Sequence, residues 1–423
     1  MESDDEASVH ARRGRCAVNE KPELDTGDPN ESASRPQGGS CLVISAHDFR
    51  TPRRSSLHFI TDELATRGET RFFSLRFSAL SRLKGDPRLK LSSRANRKEW
   101  HNGVECFLWK TLVHPVNTRI RFFRPFENIL FRLHRARPHP VLVEWIKGAD
   151  TIIFESGLAV IYFDLACKLN PAAKKLYRAS DDLSTINVAD YVQRIFDRAA
   201  PEMTSICMLS PLLAQAMPHT DNLYYVPNGI NPSILDGGDP SPYEEGINAV
   251  SIGSMLFDPT FFEIASDAFP EITFHVIGSG MPRRPGYGAN VKVYGDMKYS
   301  ETISYIKHAN FGVAPYQAQS VPEYLSDSSM KLLQYDVFGV PAVCPRAVVG
   351  SYASRVGYDP GDAASIVAAI RAACAMEHKP SRRYLNWAEV TDRLLDPQTF
   401  ADTRIELPIT PLSPRQSKPH VAA

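Results

Sequence analysis

Asp236-Gly-Gly-Asp-Pro-Ser-Pro242 is the most linker-like stretch in the body of the chain, and beyond it the apolar run Ala249-Val-Ser-Ile252 opens a new series of elements. A helical pattern follows over 258–269, then strand-like runs at Ile272-Thr-Phe-His-Val-Ile277, Val291-Lys-Val-Tyr294 and Phe311-Gly-Val-Ala-Pro315, with a helix over 300–309. A helix from Ser329 to Phe338, a strand over 340–343 and helices near 362–375 and 386–395 complete the series. The rhythm before the linker is the same. Cys41-Leu-Val-Ile-Ser45 reads as a buried strand, and 55–68 as a helix with Leu57, Ile60 and Leu64 at i, i+3 and i+7 and Gly68 as its stop. Strand-like runs recur at 71–77, 151–154, 175–178 and 205–209, with helical patterns near 158–168, 188–200 and 211–217. Such alternation places a parallel sheet between helices, so the two series imply an α/β protein of two doubly wound domains. Ligands in these sheets sit beyond the carboxyl ends of the strands, which makes the crevice between the halves the expected site.

With 423 residues the chain is too long for one hydrophobic core. Its 43% apolar and 23% charged content excludes a fully disordered or fibrous protein. No run approaches the ~18 apolar residues of a membrane-spanning helix, and the polar, acidic beginning has no signal-peptide character. Residues 1–39 and 408–423 lack apolar periodicity and read as disordered tails. The seven cysteines are odd in number and scattered, without a C-x-x-C pair, so reduced thiols are expected rather than disulfides or a zinc site. The net charge of zero conceals an asymmetry: residues 41–150 hold 21 Lys/Arg against 10 Asp/Glu, whereas 151–423 hold 22 against 29. The basic region should prefer an anionic partner.

The strongest local signal is Ser328-Ser-Met-Lys-Leu-Leu-Gln334. A serine-capped helix start offers free N–H groups and a positive dipole end to a phosphate, and Lys331 and Gln334, three apart, project from one face. The same spacing also fits an ordinary capped helix with a solvated lysine. Ser180-Asp-Asp182 follows a strand, where this fold class places catalytic groups; two adjacent carboxylates would raise one pKa towards neutrality and make a base. An Asx turn is the competing reading. His47 and Asp48, with Arg50, Arg53 and Arg54, follow the first strand. Ser254-Met255, Gly278-Ser-Gly280 and the stretch ending at Met297 occupy equivalent loops in the second half. Finally, Arg119 to Arg137 holds six arginines and four phenylalanines against one Glu. It suits an anionic membrane interface, with nucleic acid and simple packing of the apolar face on its own domain as competitors.

Ile44-Ser-Ala-His-Asp-Phe-Arg-Thr-Pro-Arg53, Phe72-Phe-Ser-Leu-Arg-Phe77, Tyr177-Arg-Ala-Ser-Asp-Asp182 and the Ser328–Gln334 segment together resemble the GumK-like glucuronosyltransferases of bacterial exopolysaccharide assembly, over roughly 40–400. The resemblance implies a GT-B fold of two Rossmann-like domains: an acceptor-binding, membrane-associating domain at 40–235 and a nucleotide-sugar-binding domain at 236–385, with a helix at 386–407 crossing back to the first. It implies inverting transfer of glucuronate from UDP-glucuronate to a polyprenyl-diphosphate-linked oligosaccharide, without a metal or other cofactor. Matched by motif, Asp181 would be the general base. Lys331, Met330, Ser328 and Gln334 would surround the diphosphate and uridine; Ser254, Met255, Met297 and Tyr316 would line the rest of the nucleotide pocket; Arg53 would face the donor sugar. The partners implied are the lipid-linked acceptor, the UDP-sugar and the anionic inner face of the cell membrane, with no nucleic acid and a cytoplasmic, peripheral location. Alternatives are another nucleotide sugar on the same scaffold, a UDP-sugar epimerase, or a non-catalytic basic adaptor.

Overall fold

The computed structural model describes residues 38–51, 54–84, 86–186, 188–236, 240–317, 321–379 and 384–405. Arg53, most of both expected tails and the centre of the linker lie outside the described residues.

The apolar runs before the linker form one sheet. Its strands are β1 (Gly38–Ser45), β2 (Gly68–Ser78), β3 (Lys98–His101), β4 (Val104–Thr111), β5 (Thr151–Glu155), β6 (Lys174–Ala179), β7 (Ser205–Met208) and β8 (Leu223–Tyr225). They lie in the order β3-β4-β2-β1-β5-β6-β7-β8, parallel throughout except for the β3–β4 pair. Beyond the linker come β9 (Ile247–Ile252), β10 (Ile272–Ile277), β11 (Val291–Tyr294), β12 (Phe311–Val313), β13 (Ala342–Pro345) and β14 (Arg355–Tyr358). These form a wholly parallel sheet in the order β11-β10-β9-β12-β13-β14. Winding reverses between β1 and β5 and again between β9 and β12, the positions at which doubly wound sheets open a ligand crevice.

The central strands are those whose residues are apolar on both faces: Leu42, Val43 and Ile44 of β1 and Ile152, Ile153 and Phe154 of β5 are fully buried. Strands without such a run escaped the sequence reading. β3 is Lys-Glu-Trp-His at an edge, β8 has three residues, and β14 begins with an arginine committed to an ion pair. Residues 211–216 form a 3₁₀ turn rather than an α-helix, capped by Ser210. The strand expected at 340–343 begins at Ala342, because Gly339 first closes the preceding helix in the left-handed conformation, φ 68°.

The helix Trp387–Leu395 packs on the helix Ser56–Arg67 of the first sheet's layer. Trp387 stacks on Phe59 with centroids 5.0 Å apart, and Arg67 donates to the Ala388 carbonyl at 3.1 Å and pairs with Asp392. In the second sheet's layer, the helix Met330–Phe338 is seated by Tyr335. Its ring crosses β12 at Gly312, where a Cβ would meet the ring at 2.5 Å, and its hydroxyl donates to the Val250 carbonyl at 2.9 Å. Asp336 of the same helix and Arg355 of β14 form a buried ion pair at 2.6 Å; Arg355 also donates to the Ser326 carbonyl at 2.6 Å. The start of this helix is therefore held from below by a paired charge whose removal on either side would leave its partner buried alone.

Candidate active site

Asp181 lies in the loop beyond the carboxyl end of β6 and lines a cavity of about 620 Å³ under the switch point of the first sheet. Its pKa is raised, first by burial and next by the carboxylate of Glu155 at the end of β5. A hydrogen bond from Tyr324 and the nearby His47 pull in the opposite direction. Asp182 contributes least of the groups acting on Asp181, because it is turned into its own loop, accepting from Ser184 N at 2.9 Å and Ser184 Oγ at 2.6 Å. Asp182 makes the Asx turn and raises Asp181 only weakly; the carboxylate that raises it most, Glu155, comes from another strand. Glu155 is itself held by Ser45 at the end of β1, with His47 Nε2 3.9 Å away.

On the opposite side, Ser329 rather than Ser328 caps the helix Met330–Phe338, its Oγ accepting from Leu332 N at 3.3 Å. Ser328 ends the preceding turn. Its Oγ is buried without a hydrogen-bond partner, as is Lys331 Nζ. Lys331 is partly exposed along its stem, yet its ammonium is shielded from solvent, 5.4 Å above the Tyr316 ring. Burial pulls its pKa down to about 7. Tyr316, fully buried, is fixed by its hydroxyl at 2.7 Å from Ser329 Oγ, and Gln334 donates to Tyr299 at 3.2 Å. Met330 packs between two core clusters and Met297 against one of them. Ser254 and Met255 follow β9, with Met255 exposed. A side chain at Gly280 would meet Ser254 Cβ at 3.9 Å and one at Gly278 would meet Asp296 Oδ1 at 3.1 Å, so the loops after β9, β10 and β11 converge. These residues form a rim at the carboxyl ends of the second sheet, with an unpartnered cation at a helix N-terminus, a site for an anion.

Among the described residues, hydrogen bonds from Tyr324, Ser210 and Asn228 join the two sides, and none of these was visible in the sequence. Tyr324, seven residues before Lys331, reaches across to donate to Asp181 Oδ1 at 3.3 Å and lies 2.9 Å from Thr185 Oγ1. Ser210 donates to Asp327 at 2.7 Å. Asn228 Nδ2 donates to the Ser328 carbonyl at 3.0 Å. The loop carrying Asn228 is tied to β6 by Arg178, whose buried guanidinium donates to the carbonyls of Val226 at 2.6 Å and Pro227 at 3.3 Å. The strand that presents Asp181 thus also steadies the loop that touches the Lys331 helix.

The arginines after the first strand divide. Arg50 is buried, paired with Asp48 at 2.8 Å and Glu99 at 2.6 Å, and is structural. Arg54 lines the cavity, paired with Asp62 and lying over the rings of Phe49 and Phe59. Arg53 is not described. The segment 119–137 holds the helix Arg124–Ala136, which buries Glu127, Phe131 and His134 but leaves Phe126, Ile129 and Leu133 exposed, as are Phe122 and Phe123 in the 3₁₀ turn before it and Leu112 and Val113 further upstream. Packing of its whole apolar face on its own domain is therefore excluded. Among the described residues no helix is long and apolar enough to cross a membrane, no group of three His, Cys, Asp or Glu side chains is placed to hold a metal, and the six cysteines are free.

Two doubly wound sheets, one on each side of the linker, make this a GT-B fold. Solved structures share it: a UDP-forming α,α-trehalose-phosphate synthase from Burkholderia xenovorans (8% identity, 86% of this chain and all of that one, TM-score 0.58) and a glycosyltransferase from Rickettsia africae (11%, 85% and 92%, TM-score 0.51). Residues 43–209 match the N-terminal domain of the glucuronosyltransferase GumK. A UDP-glucuronate:glycolipid 2-beta-glucuronosyltransferase of Xanthomonas campestris pv. campestris is 58% identical over 364 residues, 86% of this chain and 91% of the relative. The chain belongs to the GumK-like glucuronosyltransferase family.

A buried ammonium without a partner costs stability and is retained for what binds it. Lys331→Met is expected to melt no lower than the wild-type protein while its affinity for UDP falls about a hundredfold. A variant that melts lower and binds UDP unchanged would make Lys331 a packing residue.

Proposed function

We propose that the chain transfers glucuronate from UDP-glucuronate to a hydroxyl of a polyprenyl-diphosphate-linked oligosaccharide, with inversion and without a divalent metal. The observation that carries the reading is the pairing of roles across the crevice: a carboxylate with raised pKa on one side, an unpartnered ammonium at a helix start on the other. Asp181 takes the proton of the acceptor hydroxyl as that oxygen bonds to the anomeric carbon. The bond from that carbon to the UDP oxygen breaks, and its electron pair leaves with the diphosphate. Lys331 and the helix N–H groups meet the developing negative charge. A single base on the face opposite the leaving group is what inversion requires. The fixed cation does the work for which other transferases recruit a metal ion. The name of the 58% identical relative supports both the donor and the glycolipid acceptor.

The exposed Phe122, Phe126, Ile129 and Leu133, set among arginines, support docking of the first domain on an anionic inner leaflet, where a lipid-linked acceptor resides. Exposed apolar rings favour lipid over nucleic acid, and an epimerase would have no use for such a patch.

Asp181→Asn should bind UDP within about twofold of wild type and lose transfer by about a thousandfold or more. Tyr324→Phe removes a hydrogen bond that holds the Asp181 pKa down, so the acid limb of its kcat/KM profile should move to higher pH. Retained turnover in Asp181→Asn, or an unmoved limb in Tyr324→Phe, would refute these roles. Flotation with vesicles containing anionic lipid should recover the wild-type protein but much less of a Phe122→Ser, Phe126→Ser, Arg132→Glu variant; equal recovery would remove the patch from the reading.

A further inference from the structure

The cavity beside Asp181 has charged groups in two places that do not share neighbours. Asp181 stands with Glu155, His47 and Asp182, while the charges nearest Arg76 are Arg88 and Asp86. Most of the charged lining is paired within the protein: Asp48 with Arg50, Arg54 with Asp62, and Asp86 with Arg88. Arg76 is the arginine of the lining whose side chain makes no hydrogen bond or ion pair among the described residues.

Its backbone is unusual. Arg76 has φ 59°, a left-handed conformation that side chains other than Asn and Asp avoid, and the register of β2 on β4 shifts between Ser74 and Phe77 around it. The distortion is maintained by a second arginine. Arg88, itself buried, donates to the carbonyls of Leu75 at 2.7 Å, Arg76 at 2.9 Å and Ala46 at 2.5 Å, and is locked by Asp86 at 2.7 Å. A buried guanidinium thus spends its donors on a strained bulge whose visible product is a free guanidinium in the cavity that holds the base. Strain of this kind persists where the surrounding structure over-determines it, as at ligand clamps.

We propose that Arg76 is the anion-binding end of this cavity and takes an oxyanion of the bound saccharide substrate, while the hydroxyl to be glycosylated lies at Asp181. The oxyanion is either the diphosphate of the glycolipid acceptor or the carboxylate of the glucuronate being transferred; both suit a guanidinium fork. The substrate assignment rests on the transferase reading above, but the binding site does not.

The test uses Arg76→Gly in the full chain, since glycine adopts φ 59° without strain and the variant should melt at or above the wild-type temperature. Arg76→Gln carries the same readouts should the glycine variant fail to fold. With UDP saturating the nucleotide pocket, inorganic diphosphate and free glucuronate are titrated separately. Wild type should bind one of them at least tenfold more tightly than the variant. In turnover, a tenfold or greater rise in acceptor KM with the donor KM unchanged assigns the diphosphate. A rise in the UDP-glucuronate KM with lost preference over UDP-glucose assigns the carboxylate. A variant that folds, with both titrations and both KM values within twofold of wild type, overturns the proposal and leaves the transferase reading intact. Arg76-dependent anion binding in a protein that transfers no sugar overturns the transferase reading and leaves the site.

Discussion

An ammonium withdrawn from water and left without a partner is the constraint around which the second domain is arranged. Lys331 Nζ has no hydrogen bond, and burial alone brings its pKa to about 7. Such a group is tolerated only if its surroundings are rigid and if something charged arrives to pair with it. Rigidity comes from beneath. The Asp336–Arg355 pair and the Tyr335 ring against Gly312 fix the helix, while Tyr316 is pinned by Ser329 and offers its ring face to the cation. Lys331 stands at the helix N-terminus, where the dipole and free N–H groups already favour an anion.

The first domain answers with the opposite electrostatics. Asp181 is held near Glu155 in a partly desolvated loop, which raises its pKa and makes it the readier proton acceptor. Tyr324 connects the two arrangements: it sits on the segment leading into the Lys331 helix, yet donates to Asp181. Movement of that segment would therefore change the basicity of the carboxylate and the position of the ammonium together. Arg178 and Asn228 give a second link of the same kind through the loop after β8.

Much of this was legible in the sequence because apolar runs report burial on both faces of a strand. β1, β5, β9 and β10 were all readable for that reason. Edge strands such as β3 and β14, whose residues are charged or committed to ion pairs, carry no such run. In the site, Asp181 and the Ser328–Gln334 helix were legible because each lies in a recognisable local pattern after or before a strand. Glu155, Tyr324 and Asn228 were not, since each acts on a residue brought near only by the fold. Local pattern could not rank neighbours: Asp182, next in sequence, acts on Asp181 less than Glu155 does because it turns into its own loop, and Arg50, one of three arginines after the first strand, is buried against Asp48 and Glu99. The arginine- and phenylalanine-rich segment was ambiguous until its exposed face was known, because the spacing of Phe122, Phe126 and Leu133 would suit a buried stripe equally well.

The role of Lys331 can be examined without any acceptor. Titrating UDP into the wild-type protein at pH 8, in buffers of different ionisation enthalpy, counts the protons taken up on binding. The terminal phosphate of UDP is already ionised at that pH, so proton uptake reports the protein. Close to one proton per UDP is expected as the neutral amine becomes an ammonium against the diphosphate. Binding with no proton uptake would place the diphosphate elsewhere and contradict the role given to this lysine.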